Sequence, residues 1–207
     1  MLHTAAQMDP GLIGTFILAG LLLNITPGVD FLYVSSSGVT GGPRIGMAAA
    51  VGVNFGIVLH IAAAAAGVSA LLLAYPAAYT ALKYAGAAYL LWIAVQSWRA
   101  SSAQHTAPAP SIPRAIRRGF LTNALNPKTA LFIFAFLPQF TQAEAGPIWH
   151  QIVILGTLFW AFGFAFSLAL GAAAGRLAAP LKRHTDTLTK TTSLLLAGLA
   201  ARLLLTD

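Results

Sequence analysis

Apolar stretches of about 18 or more residues, long enough to cross a hydrocarbon core of about 30 Å, recur along the whole of this 207-residue chain. Composition agrees: 57% of residues are apolar and 8% charged, with a mean hydropathy of +0.76. A soluble domain would carry about a quarter of its residues as charges. The sequence therefore reads as an all-α integral membrane protein, one transmembrane unit over residues 1–207, with no soluble domain between spans. The first ten residues, MLHTAAQMDP, hold no Lys or Arg, so no cleavable signal peptide is expected.

Hydropathy places spans at about 11–38, 44–74, 77–98, 118–140, 149–174 and 187–205. Pro43, Pro76 and Pro147 stand where helices would begin. The stretch RASSAQHTAPAPSIPRAIRR, from Arg99 to Arg118, is rich in Ala, Ser and Pro and predicts a flexible loop. It divides the chain into halves, about 11–98 and 118–205, joined by a linker at about 99–117.

The net charge of +7 does not point to nucleic acid, because the basic residues lie in short connections and not on an aromatic-interleaved surface. Alternating the loops between two sides gathers Arg44, Arg99, Arg114, Arg117, Arg118, Arg176, Lys182, Arg183 and Lys190 on one side. Asp9, Glu144 and Asp207 fall on the other. The positive-inside rule makes the basic side cytoplasmic and sends both termini outward. Tyr75, Tyr79, Trp98 and Trp149 fall near span ends as interfacial anchors, and Lys83 and Arg202 are expected to snorkel outward.

Two apolar runs are interrupted in the same way. NITPGVD spans Asn24 to Asp30, and TNALNPK spans Thr122 to Lys128. Aligning Pro27 with Pro127 sets Thr26 on Asn126, and AGAAYLL from Ala85 then resembles AGLAARLL from Ala197. Each half holds three spans, an odd number, so the second half enters the bilayer in the opposite direction: an inverted repeat. Thr or Asn is a good N-cap and Pro is favoured at the first helical position, so each break is read as a new helix start. A helix N-terminus offers free N–H groups and about half a positive charge, and two such ends near the midplane suit a carboxylate. The competing reading is a pair of proline kinks.

The residues around these breaks carry a family resemblance. TPGVDFLYVSSSGVTGGPRIGMAAAVGVNFG, LKYAGAAYLLWIAVQSWR and RRGFLTNALNPKTALFIFAFLPQF together resemble the LysE-type amino-acid translocator family, also called the lysine exporter or homoserine/threonine efflux (RhtB) family. The resemblance implies a small exporter of amino acids or related metabolites in the bacterial inner membrane, driven by the proton motive force. The family's first motif commonly reads TPGP, whereas Val29 stands at the second proline position here; Asp30 is present.

An intramembrane carboxylate is costly and by default functional, which makes Asp30 a candidate proton or substrate-ammonium site. Lys128 lies in the first turn of a half-helix, where the dipole opposes its charge, so it requires an anion nearby: Asp30 or a substrate carboxylate. Asn24, Thr26, Pro27, Gly28, Asn123, Asn126 and Pro127 complete the substrate-site candidates, with capping or interhelical bonding as the alternative role for the polar ones. His60 is a candidate proton-relay residue or a packing histidine, and Asn54, six positions earlier, does not share its helix face. The run AAAAA at 62–66, with Gly156, Gly163, Gly171 and Gly175, reads as close helix packing. No HExxH or GxSxG motif is present, so an enzyme is not expected, and no cofactor is called for. A membrane scaffold and a cation or metal exporter are the alternatives; absent cysteines and sparse histidines argue against soft metals. Expected partners are an amino-acid substrate and the lipid bilayer. Oligomeric state stays open, a homo-oligomer included.

Overall fold

The computed structural model describes residues 1–68 and 110–205, with isolated helical positions between 77 and 95. The third span, most of the linker, and the anchors Tyr75, Tyr79, Lys83 and Trp98 fall outside the described residues. Every regular element among the described residues is helical. They are α1 (Leu2–Gln7), α2 (Pro10–Ile25), α3 (Val29–Ala63), α4 (Ile112–Ala124), α5 (Pro127–Leu131) and α6 (Ile148–Leu205). A π turn, Ala64–Val68, extends α3. Another, Phe132–Phe136, followed by a 3-10 turn, Leu137–Phe140, extends α5. Two described helices, Val29–Gly67 and Ile148–Ala174, are long and apolar enough to cross a membrane; the pair Ile112–Ala124 and Pro127–Phe140, bent by 50°, makes a third if counted as one.

Helical hydrogen bonding hides a reversal inside α3. Gly42 has φ 76° and ψ 179°, a conformation open to glycine and strained for other residues. In a straight helix Gly38 and Gly46 would lie about 12 Å apart. Instead, a Cβ added at either would collide with the carbonyl oxygen of the same residue, Gly171. Val34 likewise packs with Ala49, Ala50 and Val53. The chain therefore turns back at Gly42, and Pro43 opens the returning arm as its position in the sequence implies. α6 also folds back: Ala197 packs against the cluster containing Ile152 and Phe159, whereas an unbent helix would carry it about 57 Å beyond Phe159. The segment between 174 and 187, expected as a loop, carries helical hydrogen bonding.

Directions follow from the contacts. Gly52 meets Ile116 and Gly56 meets Asn123, so the returning arm of α3 runs parallel to α4; Gly156 meets Ile61 and Gly171 meets Gly46, so α6 runs antiparallel to both. Gly20 against Phe159 and Asn24 against Gly163 set α2 parallel to α6. Arg44 and Arg114, at the starts of parallel arms, consequently share one end of the molecule. At the other end Thr4 bonds His150 (3.3 Å), the Asp9 N–H donates to Gln142 (3.0 Å), and the buried Gln151 amide holds the carbonyls of Gln142 and Gly146. The α2–α3 chain and the α4–α5 chain thus cross between the same two ends in opposite senses.

Between helices in lipid, packing replaces hydrophobic expulsion as the attractive force, and small residues let backbones approach closely. Gly46 lies on Gly171, and Gly52 on Ile116, with no room for a methyl group. Gly156 and Gly163 also lie in such contacts, against Ile61 and Asn24; the side-chain surroundings of Gly175 are outside the description. A stack of rings, Phe16, Phe132, Phe136, Phe140 and Phe159, with neighbouring centroids 4.9–5.9 Å apart, joins α2 to α6 through the extension of α5. Replacing Gly52 by valine should cost about 3 kcal/mol, because the obstacle is a backbone carbonyl that no rotamer relieves. Gly14→Ala, where an added Cβ meets nothing within 4 Å, should be neutral or stabilising by up to about 1 kcal/mol. Melting of the purified protein in detergent measures both.

Candidate functional site

The two helix breaks lie against each other, and each supplies the charge the other favours. In an unbroken helix the Leu23 carbonyl would accept from the N–H of residue 27, but Pro27 has none. Thr26 ends α2 and Gly28, with extended backbone, precedes α3, so the Thr26 carbonyl also stays outside the helical ladder. The Lys128 ammonium occupies this gap, donating to the carbonyls of Leu23 and Thr26 at 2.9 Å each. The same arithmetic holds a hundred residues later. Pro127 cannot donate to the Asn123 carbonyl, which instead accepts from the Asn126 N–H (2.8 Å) and the His60 Nε2 (3.0 Å). That nitrogen must carry the proton, since a carbonyl only accepts.

Asp30, in the first turn of α3, crosses to the second break. Its Oδ2 accepts from Asn126 Nδ2 (2.7 Å), Asn123 Nδ2 (2.8 Å) and the Thr129 hydroxyl (3.4 Å). A carboxylate thus faces the start of α5 and an ammonium faces the end of α2, both matching the helix dipoles, an effect that reaches ~2 kcal/mol in partly buried geometries. Charge-assisted hydrogen bonds add about 1.5–3 kcal/mol apiece. Lys128 avoids the unfavourable dipole of its own half-helix by reaching away from it. Among the described residues Asp30 and Lys128 make no direct ion pair; the ammonium's bonds go to two neutral carbonyls.

The capping expectation holds at one break and fails at the other. Asn126 is the N-cap of α5, its Oδ1 accepting from the Lys128 N–H (3.0 Å), with Pro127 at the first position. Thr26 instead closes α2: its hydroxyl donates to the Leu22 carbonyl (2.6 Å) and its N–H to the same oxygen (3.0 Å). Gly28 is the N-cap of α3, without a side-chain cap. The difference lies in the residue after each proline: Gly28 is extended (φ −149°, ψ −174°) and the helix starts at Val29, whereas Lys128 is already in the first turn of α5.

Between the breaks and α6 lies a cavity of about 50 Å³, space for a few waters and less than an amino acid needs. Asn24, Thr26, Gly28, Asp30, Asn126 and Lys128 line it. A Cβ on Gly28 would come within 3.3 Å of the Lys128 Nζ, so the glycine admits the ammonium. Asn123 and His60 stand behind the cavity, one bond from Asp30 and from the Asn123 carbonyl respectively; His60 also packs edge-on against Phe134 at 5.7 Å. Pro27 and Pro127 act through the donors they lack and do not line it. Sequence reasoning missed Thr129, Asn54 and Ser167, which do; the available signal was a polar residue inside an otherwise apolar run.

Four buried side-chain atoms lack a hydrogen-bond partner among the described residues: Asn24 Nδ2, Asp30 Oδ1, Asn54 Oδ1 and Asn123 Oδ1. Each such unsatisfied atom costs about 1–3 kcal/mol. The residues bearing the first three all line the cavity. A cavity with this lining is suited to holding a small polar molecule beside a positive and a negative group.

The sequence profile described as LysE type translocator matches residues 21–207, and with it both breaks. The chain belongs to the LysE family. It is 34% identical to a homoserine/homoserine lactone efflux protein of Salmonella typhimurium over 68% of this chain and 69% of that one. It is 30% identical to a leucine efflux protein of Enterobacter sp. over 91% and 93%. An uncharacterized membrane protein of Vibrio cholerae is 31% identical over 68% and 70%. No solved structure matches at a significant level. Membership places this LysE-family chain among membrane translocators and not among enzymes.

Proposed function

We propose that the protein exports amino acids or closely related metabolites across the bacterial inner membrane, driven by the proton motive force, with its substrate site between the two helix breaks. The reciprocal exchange carries this reading: Asp30 reaches the second break and Lys128 the first, beside a cavity with unpartnered polar atoms. The names of the leucine and homoserine efflux relatives support the substrate class. Broken helices meeting at the interface of oppositely directed repeats are a recurrent way for transporters to hold substrates and coupling ions. In this reading the unit has six spans in two inverted halves, Asn24, Thr26, Gly28, Asp30, Asn123, Asn126 and Lys128 serve substrate, Pro27 and Pro127 hold the breaks open, and Asp30 with His60 handles protons. On the same reading the site widens when substrate enters, because the cavity of about 50 Å³ is too small for an amino acid.

Radiolabelled leucine, threonine, homoserine, lysine and glutamate offered to inside-out vesicles test the reading. Energised accumulation of at least one, abolished by a protonophore, is expected. No accumulation of any, with inserted protein, would reject it in favour of a scaffold. The basic end is assigned to the cytoplasm, so reporters fused after Ser102 and after Leu181 should both report cytoplasm. An external signal at either overturns the six-span topology.

A further inference from the structure

We infer that Asn54 is an ammonium acceptor of the substrate site, held in place by Ser167, and that the site takes amino acids whose side chains carry no charge. This rests on the export reading above. Asn54 is 3% exposed and sits on the returning arm of α3. Its Nδ2 donates to the Ala50 carbonyl and to the Ser167 hydroxyl, both at 2.8 Å. The Ala50 carbonyl can only accept, so it fixes which end of the amide is nitrogen. Ser167 in turn donates to the Phe164 carbonyl (3.1 Å), which orients its lone pairs toward Asn54. The amide is therefore locked with Oδ1 unpartnered and buried, in the wall of the cavity that Asp30 and Asn24 also line.

The three unpartnered atoms have a definite chemistry. The Asp30 carboxylate at Oδ1 and Asn54 Oδ1 accept, and the Asn24 amide, as oriented here, offers Nδ2 as a donor. An ammonium group needs acceptors and a carboxylate needs donors, so the set complements the two ends of a zwitterion, with the remaining proton of Lys128 as a second donor. A cationic side chain would need a further anion. Among the described residues Asp30 is the only acidic one lining the cavity, and its Oδ2 is already taken by Asn123 and Asn126. Beyond these the wall offers the neutral hydroxyls of Thr26, Thr129 and Ser167 and the apolar side chains of Phe31, Val53, Ile57, Phe159 and Phe166, none of which is an anion. Lysine and arginine would bring an unpaired charge against it.

Inside-out vesicles carrying wild-type, Asn54→Ala or Asn54→Asp protein, at matched inserted amounts, test the assignment. Leucine and 4-methylpentanoate, which is leucine without its ammonium, serve as competing ligands. Asn54→Ala should weaken leucine about tenfold and leave 4-methylpentanoate within about twofold, since one charge-assisted hydrogen bond is lost for the first only. Asn54→Asp adds a negative charge at the acceptor and loses the donor to the Ala50 carbonyl, and should weaken 4-methylpentanoate, an anion without an ammonium, at least about tenfold more than leucine. Lysine should compete at least about 100-fold more weakly than leucine. Equal weakening of leucine and 4-methylpentanoate by either substitution would show that Asn54 only props the helices; lysine competing as well as leucine would overturn the side-chain assignment. In each of those cases leucine is still transported and the export reading stands. If no amino acid is transported, both fall.

Discussion

Replacing Asp30 by asparagine is expected to lower the efflux rate about 100-fold, equivalent to ~2.7 kcal/mol in the barrier, while leaving the amount of inserted protein unchanged. The substitution keeps size and hydrogen-bonding capacity and removes the charge. Oδ2 of Asp30 accepts from two asparagine amides and a threonine hydroxyl, all donors, and an asparagine side chain offers one oxygen where they converge. The acceptor for an incoming ammonium or proton at Oδ1 is weakened at the same time. Insertion should survive, because one asparagine does not prevent insertion of so apolar a span and Lys128 keeps its two hydrogen bonds to the α2 carbonyls. Efflux from loaded vesicles at several pH values, with immunodetection of inserted protein, makes the measurement. Persisting transport with an unaltered pH profile would remove Asp30 from coupling.

The breaks are legible in the sequence because proline inside an apolar run has one backbone consequence, a missing donor four residues after a carbonyl, whatever surrounds it. The partner of each freed carbonyl is not legible. Lys128 lies 105 residues from Leu23, and His60 lies 63 from Asn123. The spacing of Asn54 from His60 puts them on different faces, a sound inference about one helix that says nothing of other helices. The actual partner of Asn54, Ser167, is 113 residues away on α6. Thr26 has the residue type of an N-cap, and only the extended backbone at Gly28 shows that α3 starts later. The reversal at Gly42 is readable as a span boundary from GGPR, since glycine and then proline suit a turn that ends one helix and opens another. In each case local chemistry is written in the sequence and long-range pairing is not.

Alanine at Pro27 or Pro127 should separate a mechanical kink from a functional opening. A kink alone predicts that the restored N–H completes the helix, leaves transport intact and stabilises the protein, because proline in a helix interior is costly. The observed bonding predicts otherwise. Pro27→Ala would supply an N–H to the Leu23 carbonyl, competing with the Lys128 ammonium for the same oxygen; Pro127→Ala would supply one to the Asn123 carbonyl, competing with His60. Either change draws a helix through its break and pulls one wall of the cavity inward. Substrate affinity should fall about tenfold or more in each single variant, equivalent to ~1.4 kcal/mol, read as binding by protein shown to be folded and inserted. Because Asp30 and Lys128 tie the two breaks to one site, closing the first should already spoil what the second contributes. The double variant should therefore lose less than the product of the two single losses. Independent, fully multiplicative losses would mean that the breaks serve separate sites, and unaffected binding in either single variant would reduce that break to a kink.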